Sequence, residues 1–348
     1  MGIKHLTSLV SKHSPSAITS ITLHDIKNYT IAIDGNIYIY KFLYGGSNHI
    51  NGLYHMVQKL RKNNIKPLFI FDGKSPVEKN TTLKYRRKRK TRATDKIAEL
   101  QEKLKSETLP LDKQKITKEI MSLQKRLVYI TDDVIQKATT LLDYMGVGYI
   151  IAPGEAEHYC SKLSMAGLVD AVLTDDTDAI PCGSKIILRN FSNKISTLDC
   201  YTLVDIQSGF QLDQYSIVDL CILLGTDYNK KLLRISTQSI FDLIVKYRTL
   251  ENIIEHTSYR ISINYEKIRA IFALTGLDIN INTISKQLNK EPMLNKLTTF
   301  LTSNSDININ DPLVYPNICN NIYSRYEVFD SAYQIPNAHS KKNSRSIN

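Results

Sequence analysis

The chain has 348 residues, a net charge of +11 and a pI near 9.2, with 42% hydrophobic and 23% charged residues. These proportions exclude a disordered chain, provide for a substantial core in one large domain or two small ones, and include no apolar run long enough to span a bilayer. A basic excess of this size suits an anionic partner, nucleic acid ahead of a membrane surface, or serves solubility alone.

The N-terminus, MGIKHLTSLV, lacks a signal-peptide core, and Leu6 stands where a myristoylation signal wants Ser or Thr. Five short apolar runs then read as strands: TIAID (30–34), PLFIFD (67–72), VGYIIAP (147–153), DAVLTDD (170–176) and KIILRNF (185–191). Helix-like segments separate the first four. Runs apolar on both faces and alternating with helices predict an α/β fold whose mostly parallel central sheet is flanked by helices.

Between 79 and 130 the pattern changes. KYRRKRKTR (84–92) is densely basic, and Ile97, Leu100 and Leu104 follow on one helical face. Leu109-Pro110 breaks the helix, after which Ile116, Ile120, Leu123 and Leu127 resume helical spacing. This predicts a helical hairpin inserted between two strands, too thinly apolar to be a core element. The basic run alone reads equally as a solvated or nuclear-localisation patch. Around 215–256 two helices joined by a polar connection are predicted. Residues 257–335 carry weak helical periodicity, and the basic tail 336–348 reads as disordered. Five cysteines (Cys160, Cys182, Cys200, Cys221 and Cys319) show neither CxxC pairing nor zinc spacing, and read as buried thiols of an intracellular protein.

The acids carry the functional signal. VLTDDTDAI (172–180) places Asp175, Asp176 and Asp178 directly after a strand. Like charges about 4 Å apart cost on the order of 4 kcal/mol at an effective dielectric near 20. Asp34 and Asp72 also end strands, where ligands bind in open parallel sheets. PGEAE puts Glu155 and Glu157 at the start of a helix, where acids alternatively just complement the helix dipole. Asp227 in LLGTDY alone reads as a turn or cap. Together, Asp34, Asp72, Glu155, Glu157, Asp176, Asp178 and Asp227 would gather on one sheet edge, against the chain's positive charge, and would repel without counter-ions. An oxygen-only donor set suits two Mg²⁺ ions, with Mn²⁺ able to substitute, and a pair of such ions implies phosphoryl chemistry.

The blocks MGIKHLTSLV with PSAI, IAIDGNIYIYKFL, IKPLFIFDGKSPVEK, PGEAE, LTDDTD and VDLCILLGTDY stand in this order across residues 1–250. In that order and spacing the chain resembles the flap endonucleases, XPG-type structure-specific 5′ nucleases. The resemblance implies a PIN-like nuclease domain over 1–260 with a helical arch at 79–130 and a helix-hairpin-helix-type duplex-binding element at 215–256; beyond it the weak periodicity alone predicts a helical extension at 261–335. It implies that Asp34, Asp72 and Glu155 hold one metal ion, Glu157 reaches both, and Asp176 and Asp178 hold the second with Asp227. Lys79 and Arg86 would contact the scissile phosphate, two helical turns apart on one face. Tyr40 would stack on a terminal base pair, the alternative being a core tyrosine. Gly2 would lie near the site. Lys84, Arg87, Lys88, Arg89, Lys90 and Arg92 would line the arch as a single-strand track.

Where the family has Gly-Ile-Gly, this chain has Arg234-Ile235-Ser236. Loss of both glycines argues against a positive-φ turn there, leaving Lys230, Lys231 and Arg234 as side-chain phosphate contacts and a potassium site in doubt. The tail has no sliding-clamp motif. The implied activity is a monomeric, metal-dependent 5′ flap endonuclease of DNA replication and repair, located in the nucleus or, for a viral protein, at the site of viral replication. A 5′–3′ exonuclease, a gap or bubble endonuclease of the same family, and a non-catalytic junction binder are the alternatives.

Overall fold

The computed structural model describes residues 2–74, 77–125, 127–232 and 234–307. The strands are β1 (Ile18–Thr22), β2 (Thr30–Asp34), β3 (Lys66–Phe71), β4 (Gly148–Ile151), β5 (Ala171–Leu173), β6 (Ile186–Arg189) and β7 (Thr197–Thr202). They form one sheet in the order β1-β7-β6-β5-β2-β3-β4. From β6 to β4 every pairing is parallel, while β7 joins β6, and β1 joins β7, antiparallel. All five expected strands are present.

The helices are α1 (Leu6–His13), α2 (Gly35–Tyr44), α3 (His49–Lys62), α4 (Asn80–Ser106), α5 (Pro110–Lys125), α6 (Asp132–Tyr144) and α7 (Ala156–Met165), then α8 (Leu203–Phe210), α9 (Gln214–Leu224), α10 (Thr237–Tyr247), α11 (Leu250–His256), α12 (Tyr265–Phe272), α13 (Ile281–Leu288) and α14 (Leu294–Asn304). Alternation along β2 explains why the sheet is covered on both sides. Ile31 and Ile33 face α2, α3, α6 and α14, whereas Ala32 faces α7 and α13. A third core joins α1, α8, α9, α10, α11 and α12 to the β6–β7 end of the sheet. The helices after residue 260 thus contribute buried side chains to each main core: Phe272 to the third, Leu297 and Leu301 to the first, Ile284 to the second.

The expected helical hairpin is α4–α5, with Ile97 and Leu100 buried against Ile116 and Ile120, and Leu104, Leu123 and Leu127 packed alongside. Pro110 opens α5, where its missing N–H costs nothing. Each buried side chain contributes about 1.5–3 kcal/mol, against an ordering cost of roughly 1–2 kcal/mol for every residue in the hairpin. Its cluster is the smallest of the four apolar clusters among the described residues.

The region 215–256 departs from expectation, containing three helices rather than two. The chain breaks at Arg248 (φ 69°), and Thr249 caps α11 by accepting the Asn252 amide. The turn before α10 is also made differently. Arg234 adopts φ 59°, the positive-φ conformation that loss of the glycines argued against. Ser236 then caps α10 by accepting the Ser239 amide. A non-glycine residue there costs roughly 1–2 kcal/mol, so the geometry is kept at some strain. The proposed disordered tail and Cys319 lie outside the described residues. Of the other cysteines, Cys160, Cys182 and Cys221 are buried free thiols and Cys200 is half-buried.

Candidate active site

The parallel strands deliver their acids to one edge. Asp34 ends β2, Asp72 follows β3, Glu155 and Glu157 stand at the start of α7 after β4, and Asp176 and Asp178 follow β5. Asp227 comes from the loop after α9. Asp34, Asp72, Glu157, Asp176 and Asp227 line one cleft of about 150 Å³ together with Tyr40, Lys79 and Arg86. Glu155 and Asp178 stand immediately behind it through Lys79 and Asp176.

Local structure fixes each carboxylate. Asp34 caps α2, accepting the Ile37 amide at 3.2 Å, and its other oxygen accepts Thr174 Oγ1 at 3.1 Å. Asp72 accepts the Ala156 amide at 2.9 Å, and its own amide donates to Asn36 Oδ1. Asp176 accepts the Asp178 amide at 3.1 Å. Asp175, the remaining acid of LTDDTD, turns away: it pairs with Lys41 at 2.6 Å and accepts the Asn190 amide. Gly2 sits against this turn with φ 84°, and a Cβ there would collide with Asp176 and Thr177. The next amide, of Ile3, donates to Thr177 Oγ1 at 2.7 Å. The first residues are therefore part of the wall of the site.

Lys79 stands among the acids. Its ammonium hydrogen-bonds Glu155, lies 3.2 Å from Asp227 and 3.9 Å from Glu157. Lys79 is the N-cap residue of α4, and Arg86, two turns on, meets the same Asp227 at 2.7 Å. The expected common face is thus observed, with Asp227 as the shared partner. Burial would lower the Lys79 ammonium, but Glu157, Glu155 and Asp227 outweigh it and hold it charged. One cation does not neutralise seven acids. Burial first, and Asp72 next, push Asp34 up to about 8. Burial and neighbouring carboxylates likewise raise Glu157 and Asp178. Asp178 Oδ1 is buried without any hydrogen-bond partner. A buried carboxylate oxygen with no donor is costly unless a cation meets it. The set fits divalent ions held by oxygen.

Tyr40 is half-buried at the cleft, its ring 5.9 Å from that of exposed Tyr44, so it is not a core tyrosine. Lys84, Arg87, Lys88, Arg89 and Arg92 are exposed along α4. Lys90 differs. Its ammonium donates to the Val128 carbonyl at 2.7 Å and lies over the Tyr129 ring, tying α4 to the chain after α5. Lys230 and Arg234 are exposed, while Lys231 donates to Thr237 Oγ1. Behind the acidic cleft a larger one, of about 580 Å³, is lined by Lys230, Lys231, Arg260 and Lys267. Consecutive residues divide between the two: Lys79 and Asp227 face the acids, Glu78 and Tyr228 the basic side.

Sequence reasoning missed Asn36, Thr174, His158 and Tyr228. The first two orient Asp72 and Asp34. His158 lies within reach of Glu155 and Glu157, their candidate ligand atoms all within 4.8 Å of one another. Adjacency to known acids was the available signal, since His158 directly follows Glu157 and Tyr228 follows Asp227.

Residues 1–93 match the XPG N-terminal domain and residues 146–227 the XPG I-region. The chain is 31% identical to Flap endonuclease 1 of Enterocytozoon bieneusi over 337 residues, 92% of this chain and 90% of that one. It is 32% identical to Flap endonuclease 1 of Brugia malayi, over 78% of this chain and 75% of the relative. Among solved structures, flap endonuclease-1 from Methanococcus jannaschii superposes with a TM-score of 0.64 at 24% identity, covering 88% of this chain and 95% of that one. The catalytic core of Rad2 in complex with DNA substrate gives 0.63 at 21% identity, over 92% and 100% of the two chains. Likeness over nearly the full length, with the carboxylates gathered on the edge where the matched regions put them, means that this chain belongs to the flap endonuclease family of XPG-type nucleases.

Proposed function

We propose that the chain is a structure-specific 5′ flap endonuclease of DNA replication and repair, hydrolysing one phosphodiester at the junction of single strand and duplex. The observation that carries this reading is the group of seven carboxylates around Lys79 at the foot of a basic helical hairpin. Asp34, Asp72 and Glu155 would hold one divalent ion, Asp176 and Asp178 the other with Asp227, and Glu157 would reach both. Two Mg²⁺ ions would supply a water of lowered pKa and neutralise charge on the phosphate. Mn²⁺ would substitute.

The chain's own residues do the rest. Arg86 is paired with Asp227 and Lys79 with Glu155 and Asp227, and a scissile phosphate entering the cleft would compete for both cations. Tyr40, at the cleft wall and backed by Tyr44, offers a ring on which a terminal base pair can stack. In this reading residues 79–130 form the arch that admits the 5′ strand. Lys84, Arg87, Lys88, Arg89 and Arg92 attract its phosphates. The basic cleft at Lys230, Lys231, Arg260 and Lys267, with Arg234 beyond it, would take the duplex backbone. Recognition would rest on backbone and shape.

Cleavage of end-labelled 5′-flap, nicked, duplex and single-stranded DNA, in Mg²⁺ and in EDTA, tests this. One metal-dependent cut at the flap base is expected, abolished by Asp176→Ala with junction binding retained. Progressive release of terminal nucleotides from duplex would replace the reading with an exonuclease. Wild-type cutting by Asp176→Ala would overturn the metal assignment.

A further inference from the structure

His158 and Tyr228 play no part in neutralising the acids, yet they are built against one of them. Tyr228 Oη lies 2.6 Å from Glu155 Oε2, and His158 Nε2 lies 3.3 Å from Tyr228 Oη. A phenol carries one proton, and an ionised carboxylate only accepts. The Tyr228 proton is therefore directed at Glu155, and the phenol oxygen is the acceptor in its other contact. His158 must donate from Nε2. The chain of donors runs from the imidazole through the phenol to the carboxylate, each bond polarising the next. Phe272 of α12, itself buried, closes the pair from behind with ring centroids 5.8 Å from Tyr228 and 6.5 Å from His158.

The two oxygens of Glu155 are thereby distinguished. Oε2 is committed to Tyr228, while Oε1 faces the position where the Lys79 ammonium stands. We propose that Tyr228 and His158 are positioning residues for Glu155, fixing its carboxylate so that Oε1 is the oxygen presented to a divalent ion. The inference rests on the metal-site reading above. His158 acts through Tyr228 and does not touch the ion.

The test is Mn²⁺ binding to the DNA-free protein, followed by electron paramagnetic resonance. The samples are wild type, Tyr228→Phe, His158→Ala, His158→Gln and the Tyr228→Phe/His158→Ala double variant. Groups that orient a metal ligand through a hydrogen bond typically contribute 10–100-fold in affinity. Tyr228→Phe, which keeps the ring against Phe272, is expected to weaken Mn²⁺ about tenfold. His158→Ala should lose less. His158→Gln should recover most of that loss, because its amide restores a donor near the imidazole Nε2. The double variant should bind no more weakly than Tyr228→Phe, since residues acting through one another are not additive. In cleavage assays each loss should appear as a higher Mn²⁺ requirement.

Additive losses, or unchanged Mn²⁺ affinity in a Tyr228→Phe variant that melts like wild type, would overturn the proposal. Nitrogen hyperfine coupling to Mn²⁺ in the wild-type spectrum would overturn it too, by making His158 a ligand. Because the readout needs no DNA, failure to cut flaps would overturn the proposed function and leave this inference to be judged on its own data.

Discussion

Asp34 shows what the site costs as a set of single residues. Its carboxyl is pushed up to about 8 by burial and then by Asp72, against an ordinary value near 3.9. Between those two values the folded protein holds a proton that the unfolded chain has released. Stability of the metal-free protein therefore falls as pH rises through that window. Ions bound to the carboxylates remove the need for the proton. In EDTA the melting temperature is expected to drop by several degrees between pH 6 and pH 8, and Mg²⁺ should raise it more at pH 8 than at pH 6. A melting temperature in EDTA that stayed flat or climbed over this range would mean the acids are not crowded as described. Asp34, Asp72 and Asp176 were legible in the sequence because each ends an apolar run. The donors that hold them were not. Thr174 and Asn36 are ordinary polar residues until the sheet brings them within 3.1 Å of Asp34 Oδ2 and 3.0 Å of the Asp72 amide. Gly2 was placed only through the family resemblance, and its collision with Asp176 is a contact between residues 174 positions apart.

Among the elements, strands carrying an apolar run were readable, β4 at the sheet edge included, and those without one were not. β2 is buried along its whole length and β3 from Pro67 onward. β1, with ITSIT, is only half-buried or exposed, and β7 buries only Leu198 and Tyr201. Their pairing joins the start of the chain to its middle, Ile18 opposite Tyr201, and no local pattern announces it. The helices beyond 260 were equally obscure, because short polar helices gain their stability from what they pack on. Arg269 of α12 shows how one of them is secured. It donates to both oxygens of fully buried Asp219 at 2.6 Å and to Glu251 at 2.6 and 2.8 Å, stacked between Tyr215 and Tyr265. Asp219 also accepts the Leu250 amide, so one guanidinium joins α9, α11 and α12. Removing it strands a buried carboxylate. Arg269→Met should cost about 3–5 kcal/mol of stability in denaturant titrations, and Asp219→Asn in the same background should recover part of it. A loss below about 1 kcal/mol would reduce the network to a surface ion pair.

For the molecule as a whole, the charge distribution explains how a protein with an acidic centre handles a polyanion. The seven carboxylates are confined to one cleft and the wall immediately behind it, and cations stand on two sides, exposed along α4 and collected in the cleft behind Tyr228. These two basic regions have different geometry and should therefore see different parts of a substrate. The α4 cations stand on a hairpin held by only a few buried side chains. Lys230 and Arg260 line a cleft supported by the third core. Replacing Lys84, Arg87, Lys88, Arg89 and Arg92 by Ser should weaken binding of a 5′-flap substrate and flatten its salt dependence, by about 0.7 in log–log slope for each single-strand phosphate that is no longer neutralised. Affinity for a nicked duplex without a flap should change little. Lys230→Ser with Arg260→Ser should weaken both substrates alike. Fluorescence anisotropy across a salt series on the two DNAs measures both slopes. If the α4 substitutions lowered affinity for flap and nick equally, the hairpin would be a general DNA-attracting surface, and selection of a free 5′ strand would have to reside at the cleft wall around Tyr40.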